Sequence, residues 1–328
     1  MRAFVITGPR QGGVQEVDEP TAKDGQVVVD VERAGVCGTD LEFWSGEMAY
    51  LHTGQAEYPI RIGHEWCGTV TGLGPGVDPS WLGRRVTGDT MLGCGHCERC
   101  LGGRQHLCAE RFEIGIRNGW PGALAERLPV PEKALLPLPD AVDATLGALV
   151  EPGGNALRAV RAANLAPGER LLILGPGTIG LLAALIATAQ GAEVHLLGQT
   201  VQFARSLGLT AWTAADLPTL RWDAIIDATN AADLPALALD LIEPGRRVVY
   251  IGIAGRPSLL DSRQLVLKDV TAVGILSASG GLAGTIEMYA SGAVDPRPLV
   301  GATVELDRTD EVLAGALRPA APKIQVRP

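Results

Sequence analysis

The chain has 328 residues, a length for about two domains of ordinary size. Hydrophobic residues at 46% and charged residues at 20% exclude a disordered polymer, and the 42 glycines and 22 prolines follow no period, which excludes collagen-like and low-complexity chains. A formal net charge of −9 argues against a protein that tracks a phosphate backbone, so no nucleic-acid partner is expected.

The opening residues, Met1 through Pro9, hold one basic residue and no apolar run of signal-peptide length, and a cytoplasmic location is expected. Up to about residue 150 the chain reads as β-rich. Residues 26–32 and 68–74 are short β-branched runs bounded by Gly, Pro and Asp. The stretch 72–79 holds three glycines and two prolines and reads as loop or turn. Helical periodicity is scarce until about Ala141. From about Glu169 the pattern alternates. Residues 170–174, 194–197, 223–227, 247–251 and 269–273 read as buried strands, with 178–190, 201–207 and 231–242 as helices between them. Such alternation predicts a parallel sheet covered on both faces. The tail from about Gly280 reads as helix, strand, helix, strand. The fold class is α/β: a β-rich domain plus a doubly wound parallel-sheet domain.

Residues 171–192 carry no charge and are long enough to span a bilayer. Their interior, Gly175-Pro176-Gly177-Thr178-Ile179-Gly180, instead fits a strand, a glycine turn and a buried helix, so no membrane partner is expected. Gly175, Gly177 and Gly180 then permit a tight turn and close backbone approach to a pyrophosphate, whose charge meets the helix N-terminus opened by Thr178 and Ile179.

Six cysteines occur: Cys37, Cys67, Cys94, Cys97, Cys100 and Cys108. Cys94, Cys97, Cys100 and Cys108 fall in one fifteen-residue window, a spacing that points to a structural zinc site rather than to disulfides. His96 and His106 share the window and read as bystanders, four sulfurs being sufficient. A second set is dispersed: Cys37, the pair His64 and Glu65, and Glu151. Thiolate, imidazole and carboxylate with one position open is the donor set of a catalytic zinc. Spacing alone does not bring these residues together. Taken singly, His64 reads equally as a hydrogen-bonded core histidine and Glu151 as a helix-start acid before Pro152.

The block Gly63-His64-Glu65-x2-Gly68-x5-Gly74-x2-Val77 resembles the zinc alcohol dehydrogenase signature of the medium-chain dehydrogenase/reductase family. The blocks Gly35-Val-Cys-Gly-Thr-Asp40, Gly63-His-Glu65, the four-cysteine lobe, Glu151-Pro152 and the glycine motif at 175–180 follow that family's order over essentially the whole chain. The resemblance implies a GroES-like catalytic domain at 1–150, a Rossmann NAD(P)-binding domain at 151–278 and a return to the catalytic domain at 279–328, with the active site in the cleft. It implies Cys37, His64 and Glu151 as catalytic zinc ligands, the last as in the polyol and threonine dehydrogenase branch. Glu65 matches a carboxylate beside the zinc that ligates it in some members. Thr39 matches the hydroxyl that bonds the substrate alcohol, although it also reads as a turn residue after Gly38. The implied function is zinc-dependent hydride transfer between a secondary alcohol or polyol, or the matching ketone, and NAD(P). Two Zn²⁺ per chain, a small-molecule substrate and a homo-oligomer, dimer or tetramer, go with it. Zinc-independent quinone and enoyl reductases share the fold but normally lack Cys37, His64 and the four-cysteine set; a non-catalytic member is the other alternative.

Three departures accompany the resemblance. Glu42 stands where many threonine and polyol enzymes carry a relay histidine. The stretch 46–59 is longer than is common. The second Rossmann strand ends at Gly198-Gln199-Thr200, without the acid that usually bonds the adenosine ribose; Glu193 comes too early and Asp216 too late. NADP, or use of both cofactors, is therefore expected, with Arg205 the nearest cation for a 2′-phosphate.

Overall fold

The computed structural model describes residues 1–328. They form two compact units, Met1–Glu151 with Ile286–Ser291 and Val300–Pro328, and Pro152–Thr285 with Gly292–Leu299. Residues 279–285 and 292–299 thus group with the second unit. Gly281 shows why for the first of these stretches: a Cβ there would fall 2.1 Å from the Gly154 carbonyl oxygen, so the two backbones are in direct contact.

The first unit is built around the strand Gln26–Val36. It pairs with Glu65–Leu73 and Arg127–Pro131, and at its far end with Lys323–Arg327. The resulting seven-stranded sheet runs Leu135–Pro137, Arg85–Gly88, Glu65–Leu73, Gln26–Val36, Lys323–Arg327, Val300–Glu305, with Arg127–Pro131 off that path. A second sheet of three strands, Gln11–Glu16, Arg2–Gly8 and Ile60–Arg61, completes the core. Val27, Val28, Val29 and Val31 are all buried, and Val27, Val29 and Val31 pack with Phe4, Ile62, Trp66 and Leu124. The short helices Gly38–Ser45 and Ala49–His52 lie where no helical period was legible.

The second unit holds a six-stranded, all-parallel sheet in the order Thr210–Trp212, Glu193–Leu197, Arg170–Leu174, Trp222–Asp227, Ile242–Tyr250, Thr271–Gly274. This is the doubly wound order, with the strand sequence reversing beside Arg170–Leu174, the place where such sheets bind ligands. The helix Thr178–Ala189 is twelve residues of mostly buried apolar side chains. It accounts for the uncharged stretch, and no helix is long and apolar enough to cross a membrane. The expected helix at 231–242 is shorter, Leu234–Leu241, because Pro235 fits only in a first turn. Thr210–Trp212 and the helix Ser262–Leu267 went unread because each spans too few residues to show a period. The tail forms Leu282–Ala290, Val300–Glu305, Thr309–Leu313 and Lys323–Arg327, in the expected order.

Candidate functional site

Cys37 ends the strand Gln26–Val36 and caps the helix Gly38–Ser45. Its backbone N–H donates to Asp40 Oδ2 at 2.8 Å, and the Gly63 N–H donates to Asp40 Oδ1 at 3.2 Å. Asp40 thereby ties the loop carrying Cys37 to the loop carrying His64. Gly63 has φ +101°, and a Cβ there would sit 2.7 Å from the Leu124 nitrogen, so the turn that presents His64 requires glycine. His64 Nδ1 lies 3.7 Å from Asp40 Oδ1 and has no hydrogen-bond partner. With Nδ1 turned to the carboxylate, Nε2 is the nitrogen left for a metal.

Cys37, His64 and Glu65 each place a ligand atom within 4.8 Å of the others. Glu151, the expected third ligand, lies outside that group of three; it is buried near the start of the helix Val150–Ala163 and acts electrostatically on His64. Burial lowers the His64 pKa, but Asp40, then Cys37 and Glu151, hold it well above the usual imidazole range. The pocket therefore favours positive charge, as a zinc site of thiolate, imidazole and carboxylate requires, and these residues fit the metal. Thr39, one residue into the helix after Gly38, is half-buried. Glu42, also half-buried, has its carboxyl pKa raised by burial and by Glu47.

Glu65 behaves differently from a simple ligand. Its two carboxylate oxygens accept from Lys323 Nζ at 2.7 and 2.6 Å, and the same ammonium donates to the Val36 carbonyl at 2.9 Å. Both side chains are almost fully buried. Gly35, paired with Glu65 across the strands, makes room: a Cβ there would lie 2.1 Å from Glu65 Oε2. To reach a metal, Glu65 must release Lys323. Sequence reasoning missed Lys323, which carries no local signal. It also assigned nothing to Asp40, although Asp three residues after an N-cap is a recognisable capping arrangement.

Cys94, Cys97, Cys100 and Cys108 bring their sulfurs within 4.8 Å of one another. Two of the separations, Cys94 to Cys100 and Cys97 to Cys108, are 3.9 Å. Zinc with arms of about 2.3 Å sets tetrahedral sulfurs about 3.8 Å apart, so the cage fits that ion. All are free thiols. Backbone N–H groups of His96 and Cys97 pull the Cys94 thiol down to about 6, while burial lifts Cys100 to about 11. His96 and His106 lie outside the four-sulfur set, though His96 joins Cys94 and Glu110 in a looser group.

In the second unit, Gly175 follows the strand Arg170–Leu174 with φ +95°. Gly180 fits because a Cβ would lie 1.9 Å from the Gly175 oxygen, whereas a Cβ on Gly177 would meet open space. Helix Thr178–Ala189 begins there with its first N–H groups available, a cradle suited to a pyrophosphate. Gly198, Gln199 and Thr200 follow the neighbouring strand Glu193–Leu197. Arg205, expected to meet a 2′-phosphate, is engaged elsewhere. Its Nε donates to the Ala211 carbonyl at 2.9 Å and its Nη2 to Asp216 Oδ2 at 3.2 Å.

Residues 23–140 match the alcohol dehydrogenase GroES-like domain family. An L-threonine 3-dehydrogenase of Sinorhizobium medicae is 28% identical over 291 residues, 84% of this chain and 83% of that protein. An L-galactonate-5-dehydrogenase of Escherichia coli is 30% identical over 311 residues, 85% and 88% of the two chains. Among solved structures, a dehydrogenase from Sinorhizobium meliloti described as zinc-binding and bound to NADP superposes with a TM-score of 0.89 at 27% identity, covering 100% of this chain and 99% of that one.

Proposed function

The chain belongs to the zinc-dependent alcohol dehydrogenases of the medium-chain dehydrogenase/reductase family, and from that premise we propose that it oxidises a secondary alcohol or polyol, or reduces the matching ketone, with NAD(P). The observation that carries the reading is the convergence of the Cys37, His64 and Glu65 ligand atoms within 4.8 Å, beside acidic groups that favour a cation there. Cys37, His64 and Glu151 would hold the catalytic zinc, and Cys94, Cys97, Cys100 and Cys108 a structural one. When bound, zinc lowers the pKa of an alcohol and polarises a carbonyl, and the nicotinamide accepts or returns the hydride.

The protein's own groups do the rest. Asp40 ties the loops that carry Cys37 and His64 together and sets a carboxylate 3.7 Å from His64 Nδ1. The Thr39 hydroxyl would accept a hydrogen bond from the substrate hydroxyl and pass its proton on towards solvent. Lys323 holds Glu65 in a buried ion pair, which Glu65 would have to leave in order to serve as a zinc ligand. The glycine turn at 175–180 seats the dinucleotide phosphates. Both named sequence relatives act on hydroxy compounds bearing a carboxylate, which places polyhydroxy acids and amino alcohols beside simple polyols among the substrates to test.

The grouping of Cys94, Cys97, Cys100 and Cys108 as a metal cage supports a reducing, cytoplasmic location. A homo-oligomer is supported by the exposed Ile253, Leu259, Val266 and Leu267 close in sequence to the sheet's edge strand Thr271–Gly274. The test is a panel of polyols, sugar acids and amino alcohols, followed by nicotinamide absorbance on protein purified without chelator. Turnover lost in Cys37→Ser supports the reading; protein with no zinc, or with turnover indifferent to that substitution, refutes it.

A further inference from the structure

We propose that the Pro176 ring bars an acidic side chain from position 198, and that the adenosine end of the site, lacking one, binds NAD and NADP with comparable affinity. The inference rests on the dehydrogenase reading above and concerns only the adenosine end of that cofactor.

In dinucleotide-binding sheets an acid at the end of the second strand bonds the ribose hydroxyls and repels a 2′-phosphate. Here that strand, Glu193–Leu197, is followed by Gly198. A Cβ at 198 would lie 2.3 Å from Pro176 Cδ and 2.5 Å from its Cγ. A long side chain could swing away; a pyrrolidine ring cannot, because its φ is locked to the backbone. That backbone is itself constrained. Gly175 on one side has φ +95°, with Thr229 Cγ2 2.6 Å from where its Cβ would be, and Gly180 packs against the Gly175 oxygen. The ring therefore belongs to the turn that cradles the pyrophosphate, and it occupies the space a carboxylate at 198 would need.

The neighbours do not replace the lost discrimination. Gln199 and Thr200 are exposed and neutral. Arg205 lies in the next helix, Gln202–Ser206, but already donates to the Ala211 carbonyl and to Asp216, whose carboxylate balances its charge. The strand end thus offers no acid to repel a 2′-phosphate, and its nearest cation already has a counter-charge, so selectivity between the two cofactors should be about tenfold or less.

Equilibrium titration of NADH and NADPH, followed by nicotinamide fluorescence without substrate, tests this. The wild type and Pro176→Ala should bind both nucleotides within about tenfold of each other. The double variant Pro176→Ala/Gly198→Asp should keep NADH and weaken NADPH by at least about tenfold, through repulsion of the phosphate. Gly198→Asp alone, with the ring in place, should weaken both. A wild type preferring either nucleotide by well over tenfold overturns the proposal, as does a Gly198→Asp single variant that keeps NADH and rejects NADPH. Failure of the wild type to bind either nucleotide overturns the dehydrogenase reading itself, and this inference with it.

Discussion

Lys323→Met removes one member of a buried ion pair while preserving most of its volume. The Lys323 and Glu65 side chains are 3% and 1% exposed, and the ammonium also supplies the Val36 carbonyl. Burial pulls the Lys323 pKa down, yet Glu65, then Cys37 and Asp40, push it above its ordinary value, so the ammonium keeps its charge. Leaving Glu65 buried without its partner costs about 3–5 kcal/mol, which for a domain of this size is a fall of about 6–20 °C in Tm. Two comparisons sharpen the measurement. Glu65→Gln/Lys323→Met removes both charges and should recover most of the loss, since a neutral amide is far cheaper to bury than a lone carboxylate. Added zinc should raise the Tm of Lys323→Met more than that of the wild type, because the released carboxylate belongs to the same cluster as Cys37 and His64. Thermal unfolding by circular dichroism, with and without zinc, reads all three. A fall of less than about 2 °C in the single variant, or a double variant no better than the single, would refute the reasoning.

Three further outcomes are expected. Elemental analysis should give two zinc ions per chain, falling to one in Cys94→Ser with loss of stability, and to one in Cys37→Ser with the fold intact and activity gone. Thr39→Ala should lower kcat by about 10²–10⁴-fold while nucleotide Kd and zinc content stay unchanged, and Thr39→Ser should be mild. Near-normal kcat in Thr39→Ala would place the proton path elsewhere. Gly180→Ala should weaken both nucleotides in the fluorescence titration, because its methyl would fall 1.9 Å from the Gly175 oxygen and push the turn open.

How much was legible in the sequence depended on how local each signal was. The strands Arg170–Leu174 and Trp222–Asp227 are covered on both faces, so they appear as continuous apolar runs. The glycine turn and the four-cysteine lobe are short motifs whose geometry follows from a few adjacent residues. The helix Gly38–Ser45 was hidden because only Asp40 and Phe43 of its eight residues are buried, too few to mark a face. Arg205 had the right distance along the chain for a phosphate, but Asp216, eleven residues on, already held it. Gly198 reads as the loss of an acid; the Pro176 ring that excludes one comes against it only in the fold. Lys323 was beyond sequence reasoning, since its partner lies 258 residues away and a lone lysine on a terminal strand looks like an ordinary surface charge.

That separation also bears on how the chain is made. The second unit, apart from Gly292–Leu299, is one continuous stretch, Pro152–Thr285, whose parallel sheet is complete once Thr271–Gly274 has been synthesised. The first unit is not. Its hub strand Gln26–Val36 emerges early but lacks the neighbour Lys323–Arg327, and Glu65 lacks its counter-charge, until nearly three hundred further residues have followed. During that interval the nascent chain carries an open strand edge and a carboxylate destined for burial, beside an α/β segment free to fold ahead of it. Loop-closure entropy makes the last pairing slow. The sheet on which Cys37 and His64 are mounted is therefore completed only when Lys323–Arg327 joins it.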